Sequence, residues 1–357
     1  MSDEGKTSPV NASLGASPAA EVAGKSFHLL LWLAARFVLR AAFVFLLAKW
    51  LGAGGYGSFS AVLAVASFVV PLSGLGYQQL MLRESSRGND PQAHLRRSLC
   101  IWLVTTPICS IAGGIIASFL ESGPRVAVAV LFVAGEVAST SISELAGRYE
   151  QSRGRPYMLG RFQAALILVR LLLLIPCIMA GALTTPLWLV IHGASGLLIA
   201  LWWLGRYWRR SSGAAKTPWR GALFRGMPFA TAGLSMRVQS ELNKPLLAGL
   251  DASMAGNLGV AQRLVDALAL PMVALQEVFW PRIYSTRRRS FTLMLFVVGS
   301  VGCAALVAAA VFATAGLLPM VLGAEYESAV ELGLWLCGIP LLQATRNLLR
   351  ILTAASQ

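Results

Sequence analysis

Ten runs of roughly 20–25 mostly apolar residues, at about 27–51, 57–82, 98–120, 125–147, 160–182, 186–204, 226–250, 255–280, 291–316 and 328–351, take up most of this chain. Each can cross the ~30 Å hydrocarbon core as a helix, which satisfies its own backbone hydrogen bonds where water is absent. With 56% apolar and 13% charged residues in 357, the chain has too little polar surface for a soluble protein of this size. The pattern predicts an all-α polytopic membrane protein of about ten transmembrane helices.

The connections between these runs alternate in charge. Arg83, Arg87, Arg96 and Arg97 fall in the second, Arg148, Arg153, Arg155 and Arg161 in the fourth, six basic residues from Arg206 to Arg225 in the sixth, and Arg282 with Arg287 to Arg289 in the eighth. The intervening connections offer only Lys49, Arg125 and Lys244. By the positive-inside rule both termini then face the cytoplasm. The net charge of +14 sits mainly in short loops beside anionic lipid, which makes membrane lipid the partner and argues against nucleic acid. Aromatic residues at predicted helix ends, such as Trp50, Tyr56, Trp202, Trp203, Tyr207, Trp208, Trp219, Trp280 and Tyr284, read as interface anchors.

Residues 1–25 are rich in Ser, Ala and Gly and read as a disordered cytoplasmic tail. The first apolar run is too long for a signal-peptide core and contains Arg36 and Arg40. Cys100, Cys109, Cys177, Cys303 and Cys337 are scattered singly, without CxxC spacing, and read as free thiols; no metal site and no cofactor is indicated. Gly52, Gly54 and Gly57 fit GxGxxG, but a dinucleotide site needs a preceding strand. Between two apolar helices these glycines read as a tight external turn. No GxxxxGK[ST] is present, so the chain does not hydrolyse ATP through a P-loop.

Charges inside the spans are the candidate functional residues, since each costs about 2.5–3.5 kcal/mol to insert and is tolerated mainly beside a partner or water. Arg36 and Arg40 share one face of the first helix; Arg237, Glu241 and Lys244 share one on the seventh; Arg263 and Asp266 lie on the eighth, with Glu277 nearer its end. Counting from the turn near 251–254 places Arg263 level with Glu241, and Asp266 level with Arg237 and Val238. Such a lattice can merely tie helices together. Across these three helices, however, cations outnumber acids, and the surplus calls for an anion. Glu136, Ser139, Thr140, Ser143 and Glu144 stripe the fourth helix and could line the same cavity or bond a neighbour. Gln78, Gln79 and Arg83 read as an interfacial cluster, Arg170 as a lower-ranked cavity residue, and His192 as a packed or interfacial group. Pro71, Pro107, Pro176, Pro271 and Pro340 mark expected kinks.

A weak echo links Leu51-Gly52 and Gly57-Ser58-Phe59-Ser60 to Leu247-Ala248-Gly249 and Gly259-Val260-Ala261-Gln262, roughly 200 residues later. It divides the chain into an N-terminal lobe of six helices at 26–205, a basic cytoplasmic connection at 206–225 and a C-terminal lobe at 226–357.

Leu51-Gly52 through Tyr56-Gly57-Ser58-Phe59, then Gly74-Leu75-Gly76, Arg83-Glu84, Met227-Pro228-Phe229, Gly259-Val260-Ala261, Trp280-Pro281 and Leu322-Gly323-Ala324-Glu325-Tyr326 resemble the polysaccharide-transporter branch of the MOP flippase superfamily, the O-antigen and exopolysaccharide flippases. The likeness covers about residues 25–355. It implies a MATE-like, V-shaped bundle of two six-helix lobes around a cationic cavity, in a bacterial inner membrane. The implied activity is transport, not catalysis: an undecaprenyl-pyrophosphate-linked oligosaccharide moves from the cytoplasmic to the periplasmic leaflet by alternating access, for lipopolysaccharide or exopolysaccharide synthesis, beside a polysaccharide polymerase or other biosynthesis proteins. In the related lipid II flippases, arginines on the first and eighth helices line the cavity; the matching helices here carry Arg36, Arg40 and Arg263. The chain departs in having ten helices where family members have at least two more, so its second lobe is expected to be incomplete.

The other readings are a multidrug or ion antiporter of the same superfamily, an inactive truncated flippase, and a membrane glycan polymerase or ligase. The last is expected to carry a large external loop, whereas the longest external connection lies around Leu317–Glu327. An exporter of cationic drugs should have an acidic cavity.

Overall fold

Where the first two predicted spans meet, the backbone is helical on both sides of a single glycine. The computed structural model describes residues 18–86, 90–120, 125–211, 219–269, 289–342 and 345. Its helix α1 runs Pro18–Val69, with Gly52 alone non-helical at φ 71° and ψ 171°. Glycine enters that region without steric cost. The result is a hairpin: Phe43 and Phe59 both pack on His192, at ring-centroid distances of 6.3 and 5.6 Å, where a straight helix would hold them about 24 Å apart. Pro18 followed by Ala, Glu and Val favours a helix start, so the last residues of the expected tail are helical, while residues 1–17 lie outside the described ones.

The second predicted span, 57–82, is not continuous. It stops at Val69, and a turn with positive φ at Gly74 (81°), Leu75 (48°) and Gly76 (68°) leads into α2, Tyr77–Ser86. Pro71 removes one donor from the helix and the glycines admit the reversal. The turn satisfies its own backbone, with Ser73 N–H bonding Val69 O at 3.1 Å and Gly74 N–H reaching Thr105 Oγ1 at 2.8 Å. Irregular backbone at this depth persists only when protein groups complete its bonds.

Helices α3 (Pro91–Ser118), α4 (Val126–Ser152), α5 (Tyr157–Met179) and α6 (Thr185–Trp208) follow in alternating directions, close to their predicted places. Glycines bring α4 and α6 into backbone contact: a Cβ at Gly135 would stand 2.0 Å from Gly193 O, and one at Gly196 2.4 Å from Gly135 O. Without a hydrophobic drive inside lipid, this close van der Waals approach is what small residues supply.

The seventh predicted span, 226–250, starts earlier and divides into α7 (Trp219–Glu241) and α8 (Asn243–Ala248). Pro245 has no N–H to offer Glu241 O, so the ladder breaks at Leu242. Helix α9 (Ala252–Leu268) packs on α1 through a second glycine seam, where a Cβ at Gly57 would lie 1.7 Å from Ala252 O and one at Gly256 2.1 Å from Ala53 O. Gly57 therefore serves packing, while Gly52 makes the turn. The chain continues with α10 (Arg289–Ala315), α11 (Leu318–Leu322), a short turn at Ala324–Tyr326 and α12 (Glu327–Leu336). Pro271, Glu277, Trp280, Arg282 and Tyr284 lie outside the described residues.

Six described helices are long and apolar enough to cross a membrane: 34–69, 91–118, 126–152, 157–179, 185–208 and 297–315. The first of these holds residues 34–51 of the first predicted span and 57–69 of the second. Helix α7 is not among them because Arg220, Arg225, Arg237 and Glu241 dilute its apolar content.

The alternating connections sort to opposite ends of the bundle. At one, buried Glu150 meets Tyr207 Oη at 3.1 Å, Arg210 at 3.2 Å and Arg155 at 3.7 Å, and Arg96 stacks over Trp208 at 3.4 Å. At the other, Thr185 Oγ1 donates to Gly55 O at 3.5 Å, Asn257 donates to Glu325 O at 3.2 Å, and Tyr326 Oη to Ala48 O at 2.8 Å. The first is called the basic end below.

Candidate functional site

Arg36 and Arg40 stand one helical turn apart on the first arm of α1, and across from them Arg237 on α7, Lys244 on α8 and Arg263 on α9 line the same cavity of about 130 Å³. Tyr56, Ser60, Thr140, Ser143 and Gln163 complete much of its polar wall. Arg36 donates from Nη1 to Gln163 Oε1. The antiparallel count from the 251–254 turn holds: Arg263 Nη2 lies 3.5 Å from Glu241 Oε1. Lys244 Nζ donates to Glu241 Oε2 across the break at Leu242, and Arg263 Nη1 donates to Asp266 Oδ2 at 3.1 Å.

Signs are unevenly distributed here. Glu241 is buried behind Lys244 and Arg263, and neither it nor Asp266 belongs to the lining, whereas all five cations do. Arg36, Arg40 and Arg237 form no ion pair among the described residues. The carboxylates thus hold two of the cations in place, and the wall still presents a positive surplus. Guanidinium groups on three helices, with Lys244 as a point charge, match a ligand with several anionic oxygens. Glu277, the third acid of the expected lattice, is outside the described residues.

A second charged cluster joins residues that the sequence ranks low or leaves open. Arg170 Nη2 bonds Glu136 Oε2 and also reaches Ser139 Oγ at 3.1 Å, His192 Nε2 lies 2.9 Å from the same Glu136 oxygen, and Thr140 Oγ1 donates to Glu136 Oε1 at 3.1 Å. All three ionisable groups are buried and line the cavity. The stripe on α4 therefore faces inward, and of the two readings of His192 the packed one holds. The signal that would have found the cluster is depth: Glu136 lies ten residues from the start of α4, His192 seven from the start of α6 and Arg170 nine from the end of α5, all at one level of an antiparallel set.

A larger cavity of about 640 Å³ continues toward the basic end. Val70 and Arg237 line both spaces, and the larger one carries Gln78, Gln79, Glu144, Arg148, Gln239, Ser240, Asn243 and Gln262. Amides predominate there, where guanidinium groups predominate in the smaller space.

No match was found among curated proteins. The profile of the family described as polysaccharide biosynthesis protein matches residues 23–287, a stretch that contains every described charged residue of both clusters. The chain belongs to this family, the polysaccharide and O-antigen flippases of the MOP superfamily.

Proposed function

We propose that this chain flips a polyprenyl-pyrophosphate-linked oligosaccharide from the cytoplasmic to the periplasmic leaflet of a bacterial inner membrane, with α1–α6 and α7–α12 acting as two lobes that alternate access to the cavity. One observation carries the reading: besides the Arg170–Glu136 pair, five cations line the cavity, while Glu241 is buried behind two of them and neither it nor Asp266 belongs to the lining. A pyrophosphate entering hydrocarbon loses its hydration, and fixed guanidinium forks replace it with paired hydrogen bonds. The amide-lined space of about 640 Å³ suits the hydroxyls of a sugar head group, which bond equally well to donors and acceptors. The prenyl tail stays in lipid. No bond is made or broken in the substrate. An antiporter for cationic drugs is disfavoured by the same surplus of positive charge.

The decisive experiment is a flippase assay on Arg40, Arg237 and Arg263, each replaced by Lys and by Ala with membrane insertion measured in parallel. Ligand arginines should lose about tenfold or more in flipping in both forms, because an ammonium keeps the charge and loses the fork. Fully active, well-inserted Ala variants would exclude them as ligands.

The direction of transport follows from orientation, with the basic end in the cytoplasm. Single cysteines at Ser211 and Ser253, placed at opposite ends of the bundle, should label from opposite sides, Ser211→Cys only from the cytoplasm. Labelling of both from outside contradicts the assignment.

A further inference from the structure

Glu136, Arg170 and His192 hold more ionisable groups than a helix tie requires. An Arg–Glu pair alone would join α4 to α5, and His192 adds a group that can gain a proton. Its Nε2 faces Glu136 Oε2 at 2.9 Å, while its Nδ1, like Nε of Arg170, is buried with no hydrogen-bond partner among the described residues. Around the imidazole stand Phe132, Phe59, Trp188 and Phe43, with ring centroids at 5.0, 5.6, 5.8 and 6.3 Å. His192 itself is 1% exposed and Glu136 8%, so the carboxylate is the cluster's contact with the cavity.

Other charges decide when a proton is held. Arg36 and Arg40 face the cluster from α1, Arg170 from α5, and Arg237, Lys244 and Arg263 from the opposite wall. Tyr56 on α1, Glu144 and Arg148 further along α4 in the adjoining space, and Glu241 behind Lys244 and Arg263 are the other titratable groups nearby. An added proton is repelled by these cations until an anion sits among them. We propose that the Glu136–His192 pair takes up one proton as the cavity binds its pyrophosphate anion, so that the two ligands reinforce each other. A proton leaves cavity water, adds at the cavity-facing Glu136 carboxylate and is held by the pair, on a carboxylate oxygen or on His192 Nδ1 because Nε2–H already donates to Oε2, and the trio goes from neutral to one positive charge. The added charge belongs to the pair and not to one atom.

This rests on the anion-binding reading above, and the test separates the two. The full chain in lipid nanodiscs is titrated with a short-chain prenyl-pyrophosphoryl hexose, a diester whose two negative charges are constant across about pH 5 to 8, where histidine titrates. Anion binding raises the proton affinity of the pair, so affinity is complete at low pH and is lost as pH rises. Binding should be at least about fivefold tighter at pH 6 than at pH 8, the lower end of coupling between linked sites. Calorimetry in buffers of different ionisation enthalpy should count one proton taken up per anion. The chain has three histidines. His192→Asn should abolish the slope, while His28→Asn and His94→Asn keep it. A flat wild-type affinity with no proton uptake overturns the proposal, as does a slope that survives His192→Asn. If that variant does not fold, the wild-type proton count decides alone. Failure to bind the probe at any pH would remove the anion reading itself, and this inference with it.

Discussion

Valine at Gly57 is expected to abolish flipping and to lower the thermal stability of the detergent-solubilised protein. Its Cβ would stand 1.7 Å from Ala252 O, 2.7 Å from Ala252 C and 2.9 Å from Gly256 N, all backbone atoms that cannot rotate away. Helices α1 and α9 must separate, and Ala53, Tyr56 and Val260, each at most 3% exposed, lose the contacts that bury them. Overpacking of a tight site costs about 1–3 kcal/mol, and a clash with main chain falls at the upper end. Gly256→Val should behave alike, since it meets Ala53 O at 2.1 Å. Gly205→Ala, whose added methyl has nothing within 4 Å, is the silent control. Thermal unfolding and a flipping assay decide: wild-type behaviour of Gly57→Val would mean that the seam contributes nothing to the working protein.

Removal of the Arg170 side chain should be as damaging, for an electrostatic reason. Arg170→Ala leaves the buried Glu136 carboxylate with only His192 and Thr140 as partners. Breaking one side of a buried ion pair costs about 3–5 kcal/mol because the remaining charge is uncompensated. Contact with cavity water reduces that figure toward its lower end, since the two side chains are 8% and 11% exposed. Glu136→Gln added to Arg170→Ala should recover part of the lost yield and melting temperature, giving a clear interaction in the double-mutant cycle. Equal stability of Arg170→Ala and wild type would show that the pair is dispensable.

Much of this arrangement is legible in the sequence, and the exceptions share a cause. The alternation of Arg-rich connections foretells that Arg96, Arg155 and Arg210 gather at one end, where they meet Trp208 and Glu150. Helical register foretells the Arg263–Glu241 contact, because neighbours in sequence joined by a short turn are neighbours in space. The break at Pro71–Gly76 is hidden from hydropathy, which averages over a window and is insensitive to a Gly-Leu-Gly step among apolar residues. Pro245 was a readable signal of the second break, but the apolar residues around it mask its missing donor. The Glu136–Arg170–His192 cluster depends on α4 and α6 touching along Gly135, Gly193 and Gly196. Which of several antiparallel helices approach that closely is set by side-chain volume on both partners, and a single span does not contain that information.

The cavity wall bears also on the membrane's energy supply. Before an anion enters, Arg36, Arg40, Arg237, Lys244 and Arg263 raise the electrostatic potential of the space they enclose. Sodium ions and protons, the cations whose gradients across energised membranes store free energy, are repelled from it. A wet chamber opening to each side in turn, as proposed above, would otherwise be a short circuit. The charges proposed to hold the pyrophosphate thus also insulate the bilayer while the cavity is empty.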